Sequence, residues 1–302
     1  MDFKDLSYVV AIAEYQKITT AANALFISQP TLTKFLQNLE HDLGQKLFHR
    51  VGNKFLLTYA GQRYVAKAVE ILKLKKELDD EMADIIKSNS GELKVGYPAV
   101  RGGYMLPCTL PRFKELYPNV KINTTEAPSA TLESMLVDGS VDLAFFNGPP
   151  KNPDIAYDII TTEEVVLLMS NRHPLASKGV KKKSCRYPWV DLAEFKDELF
   201  ILQKPEQRTR QIVDRYLKTT DIQLSNVLVT SNIRAAADLA AQNYGIAFVC
   251  DTHLKHMDLG KDIVCFSFGR PSLNVDFVAA FRKGAYLSSF AQEYIKIVKQ
   301  VT

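Results

Sequence analysis

The sequence predicts an N-terminal all-α winged helix-turn-helix with a long linker helix, followed by a C-terminal α/β domain. Three observations carry this. Up to about residue 58 the apolar residues recur at helical spacing around one short hairpin. Residues 58–87 hold a single unbroken amphipathic pattern. After Gly91 the pattern becomes an alternation of strands and helices. A chain of 302 residues, 46% hydrophobic and 24% charged, has room and apolar side chains for two or three cores.

Residues 2–15 read as a first helix, with Phe3, Leu6, Val9, Val10 and Ala13 at three- and four-residue spacing. Residues 19–25 form a short second helix. The break Phe26-Ile27-Ser28 precedes a third helix over 29–43. Ser28 suits its N-cap, Pro30 its first turn and Gly44 its end. The apolar face of this helix is Leu32, Phe35 or Leu36, Leu39 and Leu43. Two helices joined by so short a turn have helix-turn-helix geometry. The second presents Ser28, Gln29, Thr31, Thr33 and Lys34 in its first turns. Small polar groups at a helix N-terminus can reach base edges, and hydroxyls with a cation can meet phosphates. The plain alternative is a three-helix bundle with a polar first turn.

Two runs, 47–50 and 54–57, flank Val51-Gly52-Asn53 and read as a hairpin, or wing, carrying Arg50 and Lys54. From Thr58, a candidate cap, a helix runs to about Lys87. Tyr64, Ala68, Ile71, Lys75, Leu78, Met82 and Ile85 fall on a heptad seam with one Lys interruption. A helix this long needs a partner for its stripe, so a dimerisation helix is expected. Ser88-Asn89-Ser90-Gly91 follows as a hinge-like linker.

Farther on, strands are expected at 93–96, 120–124, 141–146, 164–170, 199–202, 224–229, 246–249 and 275–281. Helices are expected at 106–116, 129–138, 207–217, 233–242 and 288–298. The alternation argues for largely parallel sheets, whose strand-to-helix loops gather at one edge and bind ligands there. Those loops offer Tyr97, Pro98, Ala99, Arg101, Gly102, Ala127, Ser129, Asn147, Gln203, Lys204, Ser231 and Asn232 as ligand-binding candidates. Arg101, Lys204 and Arg234, with helix N-termini at Ser129 and Asn232, point to a small organic anion.

Charge narrows the argument. The net charge is only +4, and residues 1–60 hold six Lys/Arg against five Asp/Glu. A case for DNA therefore rests on where a few residues sit, not on bulk charge. Cys108, Cys185, Cys250 and Cys265 form no C-x-x-C pair and read as reduced thiols. Cys185, inside Lys181-Lys182-Lys183-Ser184-Cys185-Arg186, is the candidate for a redox-sensing alternative. His253 and His256 are read as solvated helix residues rather than a metal pair. No G-x-S-x-G, H-E-x-x-H, P-loop or G-x-G-x-x-G after a strand occurs, so no catalytic residue, metal or cofactor is expected. Met1-Asp2-Phe3-Lys4-Asp5 is not a basic segment leading an apolar run, and no stretch nears the roughly 20 apolar residues of a membrane span. The expectation is a cytoplasmic protein, not a membrane one.

The run Thr19-x-Ala21-Ala22-x-x-Leu25-x-x-Ser28-Gln29-Pro30-x-Leu32-Thr33-Lys34-x-Leu36-x-x-Leu39-Glu40-x-x-Leu43-Gly44-x-x-Leu47-Phe48-x-Arg50, continued by Leu57-Thr58-x-Ala60-Gly61, resembles the DNA-binding domain of LysR-type transcriptional regulators. Lys17 and Phe35 depart from the family pattern. Leu136-x-x-Gly139-x-x-Asp142-Leu143-Ala144, His173-Pro174-Leu175-Ala176 and 243–250 match tags of the family's effector domain. Asn243 replaces a usual glycine, which suits a left-handed helix end, and Cys250 a usual proline.

The resemblance implies DNA contacts from Thr19, Thr20, Ser28, Gln29, Pro30, Thr31, Thr33, Lys34, Arg50 and Lys54. Pro30 can offer only apolar contact, as to a thymine methyl. It implies a two-lobed, periplasmic-binding-protein-like (type II) effector domain, a small-molecule effector between the lobes, and a homodimer or homotetramer on promoter or operator DNA. An activator would also meet RNA polymerase; a repressor would not need to. The expected division is 1–58 for the winged helix-turn-helix, 59–90 for the linker helix and 91–302 for the effector domain. Lobe I takes 92–161 plus 268–302, and lobe II takes 162–267. A solute-binding protein is the other alternative.

Overall fold

The computed structural model describes residues 2–86 and 90–302. The expectations placed on Lys87, Ser88 and Asn89 lie outside the described residues. The chain falls into two compact units, Met1–Ser88 and Asn89–Thr302.

The first unit opens with α1 (Phe3–Tyr15), α2 (Ile18–Ala24) and α3 (Gln29–Leu43). Each start has a local cause. Asp2 caps α1 in a reciprocal box with Asp5, and the Ser28 hydroxyl caps α3 by accepting from Thr31 N. Gly44 ends α3 in the left-handed region at φ +62°. Val9, Ile12, Ala21, Leu32, Leu36 and Phe48 form the core of this unit. Complete burial of a side chain such as Leu32 contributes about 2 kcal/mol. Both Leu36 and Phe35 turn inward, Phe35 edge-on against Tyr8 at 5.1 Å between centroids. Leu43, expected on the apolar face, is exposed because it sits in the last turn, beyond the core.

The wing is β1 (Phe48–Val51) paired with β2 (Lys54–Leu57). Val51 belongs to the strand, so the turn is Gly52-Asn53 alone, with Gly52 at φ +60°. Thr58 then caps α4 (Tyr59–Ile85) by accepting from Gly61 N at 3.0 Å. Gly61 lies so close to the Leu47 carbonyl that a Cβ would collide with it. Ala68 is buried, while Leu74, Leu78 and Met82 are exposed along the second half of α4, and Ile86 just past its end. The side chain of Ile85 lies outside those described.

The second unit begins with β3 (Ser90–Tyr97). Ser90 and Gly91, expected in a linker, are already paired in parallel with Asn119 and Val120. The order continues α5 (Ala99–Leu116), β4 (Asn119–Glu126), α6 (Ser129–Asp138), β5 (Leu143–Asn147) and β6 (Ile155–Ser170). Then come β7 (Leu199–Gln203), α7 (Arg208–Thr220), β8 (Asn226–Thr230), α8 (Ile233–Ala241) and β9 (Ile246–Cys250). Last are α9 (Asp251–Leu254), β10 (Ile263–Phe266), β11 (Asn274–Arg282) and α10 (Ser289–Val301). Asn243 adopts φ +61° after α8, as its place in the sequence suggests.

Two expectations are corrected here. The helix expected at 106–116 starts seven residues earlier, so Arg101 stands in a helix rather than a loop. Gly102-Gly103, Pro107 and Pro111 read as breakers. Both prolines are exposed, however, so the carbonyls they leave unbonded can turn to water. The sheet is also not largely parallel. Among the described residues it has nine strands in the order β4-β3-β5-β11-β6-β9-β7-β8, with β10 beside β6. Both ends of that order are parallel, but β11 and β6 run antiparallel to their neighbours at the centre.

The central strand β6 makes the two-lobed form. Its first half pairs with β11 and its second with β9 and β10. One set of cores gathers Val95, Phe113, Phe145 and Tyr294 on one side and Leu132, Phe146 and Val278 on the other. A second set gathers Leu167, Phe200, Phe248 and Phe268, with Val166, Ile201 and Val249 opposite. Glu163 and Glu164 lie where β6 passes from one set to the other.

Candidate DNA-reading surface and ligand cleft

In the first unit, Thr19, Thr20, Ser28, Gln29, Pro30, Thr31 and Lys34 are exposed on α2 and the start of α3, and Arg50 and Lys54 on the wing. Thr33 is half-buried, its hydroxyl donating to Gln29 O at 2.9 Å. The Ser28 and Thr31 hydroxyls lie 2.7 Å apart. Arg50 Nε donates to Gly52 O at 2.9 Å, so the guanidinium braces the wing turn.

Sequence reasoning gave Glu40 no role beyond its place in the run 19–50. It is buried in α3 and accepts from Leu47 N, Phe48 N and Lys46 Nζ. The carboxylate thus ties α3 to the root of the wing. Beside its place in that run, the signal is an acid on the otherwise apolar face of α3.

In the second unit the candidates divide. Tyr97, Arg101, Asn147 and Gln203 are internal. Tyr97 stacks on Phe145, with its hydroxyl 3.2 Å from that of Tyr294. Arg101 is 1% exposed and grips Glu163, itself 0% exposed, through two bonds of 2.7 and 2.8 Å. It also donates to Asn147 Oδ1 at 3.2 Å and Tyr104 Oη at 3.0 Å, and lies 3.9 Å over the Phe277 ring centre. Asn147 Nδ2 and the Thr252 hydroxyl complete the carboxylate at 2.8 and 2.5 Å. The Arg101 charge is therefore already matched inside the protein. Gln203 donates to Phe248 O, and its Oε1 has no partner.

Electrostatics follow from this packing. Burial pushes the Glu163 carboxyl up, but the adjoining guanidinium outweighs it and holds the group at about 2. Burial, then the nearby Arg101 charge, pushes His253 down to about 3, so the ring is neutral. His253 is thus buried rather than solvated, edge-on to Tyr104, while His256 stacks on the same ring at 4.3 Å. Burial raises the Cys250 thiol well above its ordinary value and pushes Cys265 up to about 12. Cys185 is half-buried in its basic loop, with the Ser272 hydroxyl 3.6 Å from its sulfur.

The remaining candidates, apart from the buried Gly102, lie nearer solvent. Pro98 precedes α5, Ala99 is exposed in its first turn, and Gly102 packs against Glu126. Ala127 N donates to Tyr97 O. Lys204 and Ser231 are exposed and bridged by Gln207, and the Asn232 side chain caps α8 through Ala235 N. Arg234 pairs with Asp238.

Ser129 alone of the twelve lines a cleft of about 300 Å³ between α6 and α7. Its other walls include Glu133, Lys151, Asn152, Arg208 and Gln211. Neither α6 nor α7 has a side-chain cap, so both N-termini leave amides unbonded by a cap at this cleft. Arg208 bonds Glu133 at 2.8 Å and Lys151 Nζ donates to Gln211 Oε1 at 3.0 Å, bridging the two sides. These residues were missed because Arg208 and Glu133 are 75 positions apart, and nothing local links them.

The family model described as "Bacterial regulatory helix-turn-helix protein, lysR family" matches residues 3–62, and "LysR substrate binding domain" matches 87–302. The chain belongs to the LysR family of transcriptional regulators. LysR-family regulators join a DNA-binding helix-turn-helix domain to an effector-binding domain, and this chain carries both. It is 29% identical to the uncharacterized HTH-type regulator YcgK of Bacillus subtilis, over 99% of this chain and 94% of that protein. Full-length OxyR from Pseudomonas aeruginosa has a similar fold, with TM-score 0.72, 22% identity, and coverage of 99% of this chain and 94% of that one. Full-length CbnR complexed with its target DNA gives TM-score 0.54 and 24% identity, covering 99% of both chains. No helix among the described residues is long and apolar enough to cross a membrane.

Proposed function

We propose that this LysR-family regulator reads operator DNA through α3 and the wing, and that a small organic anion in the cleft between α6 and α7 modulates it. The observation that carries the ligand reading is that cleft, where two helix N-termini without side-chain caps meet Arg208 and Lys151. An anion there gains from both helix ends and competes with Glu133 for Arg208. Of the residues expected from sequence, Ser129 belongs to this site. Ala99, Lys204, Ser231 and Asn232 stand at more exposed positions of the same unit, while Arg101 and Asn147 serve as internal structure.

The exposed stripe Leu74, Leu78, Met82 and Ile86 supports pairing of two chains through α4, with a boundary near residue 90 between headpiece and effector domain. Two dimers joined through their effector domains would make the tetramer. The protein acts in the cytoplasm as a regulator without catalytic activity of its own. Burial pushes the Cys250 and Cys265 thiols up, away from the reactive thiolate, which leaves the half-buried Cys185 as the thiol on which a redox-sensing reading would rest.

The test is titration of the full-length protein against the DNA upstream of its own gene and scrambled DNA of equal length, at several salt concentrations. Preference of about a thousandfold, with a steep salt slope, supports the DNA half. For the ligand half, a library of small carboxylates and phosphates is screened by thermal shift. Hits whose binding Arg208→Ala weakens support the cleft; hits that bind the variant equally well refute it.

A further inference from the structure

The turn between α2 and α3 holds Phe26 in a position that its own domain does not need. Its backbone lies in the left-handed region at φ +55°. Two bonds define the turn: Phe26 N donates to Asn23 O at 3.1 Å and Ile27 N to Ala22 O at 3.0 Å. This is the Schellman pattern, with Phe26 at the residue where glycine is favoured and asparagine is next best. The other described non-glycine residues at positive φ are Gln16, Asp221 and Asn243, all polar. A bulky aromatic side chain is costly there.

No packing compensates the cost. The Phe26 side chain is 96% exposed, while the next residue, Ile27, tucks against the headpiece core. An aromatic ring is thus held in water, on a backbone that disfavours it, two residues before the cap of the recognition helix. Ser28, Gln29, Pro30 and Thr31 continue the same exposed surface. Helices of this kind read base edges with their N-terminal residues, so a duplex seated on Ser28 to Lys34 meets Phe26 at its border. Phe26 has no polar side-chain atom. In the major groove the base feature that suits it is the thymine 5-methyl group.

We propose that Phe26 is a specificity-determining residue whose ring seats against a thymine methyl at the edge of the half-site. This rests on the DNA-binding reading of α3, and the test separates the two. Full-length wild-type protein selects duplexes from a randomised pool, and binding is then measured for wild type, Phe26→Asn and Lys34→Ala. Asparagine suits the backbone, so Phe26→Asn should melt no lower than wild type. It should bind the selected duplex about tenfold more weakly. Replacing the bordering thymine by uracil, which lacks only the methyl, should weaken wild type by a similar factor and leave Phe26→Asn unchanged.

Equal affinity of Phe26→Asn and wild type on a selected duplex would overturn the proposal. So would a loss in the variant that is the same for thymine and uracil, which would place the ring on the sugar–phosphate backbone. A fall in melting temperature would assign Phe26 to the fold and overturn it too. If selection enriches nothing and Lys34→Ala changes nothing, the DNA reading itself has failed.

Discussion

Replacing Arg101 by leucine should invert the acid response of the C-terminal unit. In the native protein Glu163 is fully buried and held at about 2, against an ordinary value of 4.5. That difference corresponds to about 3 kcal/mol of stability at neutral pH. Because the folded value is the lower one, this contribution is present above about pH 4.5 and is lost as pH falls toward 2. Arg101→Leu leaves the carboxylate buried with only Asn147 and Thr252 as donors. The expected cost is about 3 to 5 kcal/mol, or roughly 10 °C in melting temperature for a unit of this size. With the guanidinium gone, burial dominates and the folded pKa rises above the unfolded one. The sign then reverses: the variant loses stability as pH rises through the new value and regains it on acidification.

Trp189, the only tryptophan in the chain, lies in this unit and reports its unfolding by fluorescence. The comparison is between the pH profiles of variant and wild type, so that other carboxylates cancel. Arg101→Leu/Glu163→Leu should recover most of the loss, because the pair goes together. A loss under about 1 kcal/mol, or an unchanged difference across pH 3 to 6, would refute the reasoning.

Three further outcomes are expected. Gly61→Ala should destabilise the headpiece by more than about 1 kcal/mol, since its methyl meets the Leu47 carbonyl at the wing root; circular dichroism melts check it. Leu78→Glu should shift full-length protein from dimer to monomer in sedimentation while leaving its helix content unchanged, because the side chain is exposed in the single chain. Cys185→Ser should leave DNA affinity the same with and without peroxide treatment; a response to peroxide in wild type that the variant lacks would revive the redox reading.

Much of the headpiece was legible because its signals are local. Ser28, Pro30, Gly44 and Thr58 each act within four residues of themselves, and the structure places a cap, first turn or stop at each. The effector half was legible in its helices α6, α7 and α8 but less so at its centre. Strand β6 was expected only from residue 164, because its first half, with Tyr157, Asp158 and Thr162 exposed, lacks an apolar run. Elements α9 and β10 are too short to show a period. Arg101 was misplaced for two reasons. Glycines and prolines masked the start of α5, and the partner that draws the side chain inward is 62 positions away. A cation in an expected loop reads as available; only the fold shows that its charge is already matched.

The Arg101–Glu163 and Arg208–Glu133 ion pairs of the second unit stand in different environments. Arg101–Glu163 is dry, bonded on every side, and tied through Thr252 to α9. Separating it would strand a buried carboxylate at several kcal/mol, more than the roughly 1 to 3 kcal/mol by which one ligand usually biases another site. Arg208–Glu133 sits at the cleft rim with both side chains about a tenth exposed. There an incoming anion can take the place of Glu133 opposite Arg208, while the Lys151 and Asn152 amides keep the Glu133 carboxylate bonded. A ligand acts only through its different affinity for two arrangements. On the proposed reading of the cleft, the rim pair is the one an effector would exchange, and the buried pair would stay intact.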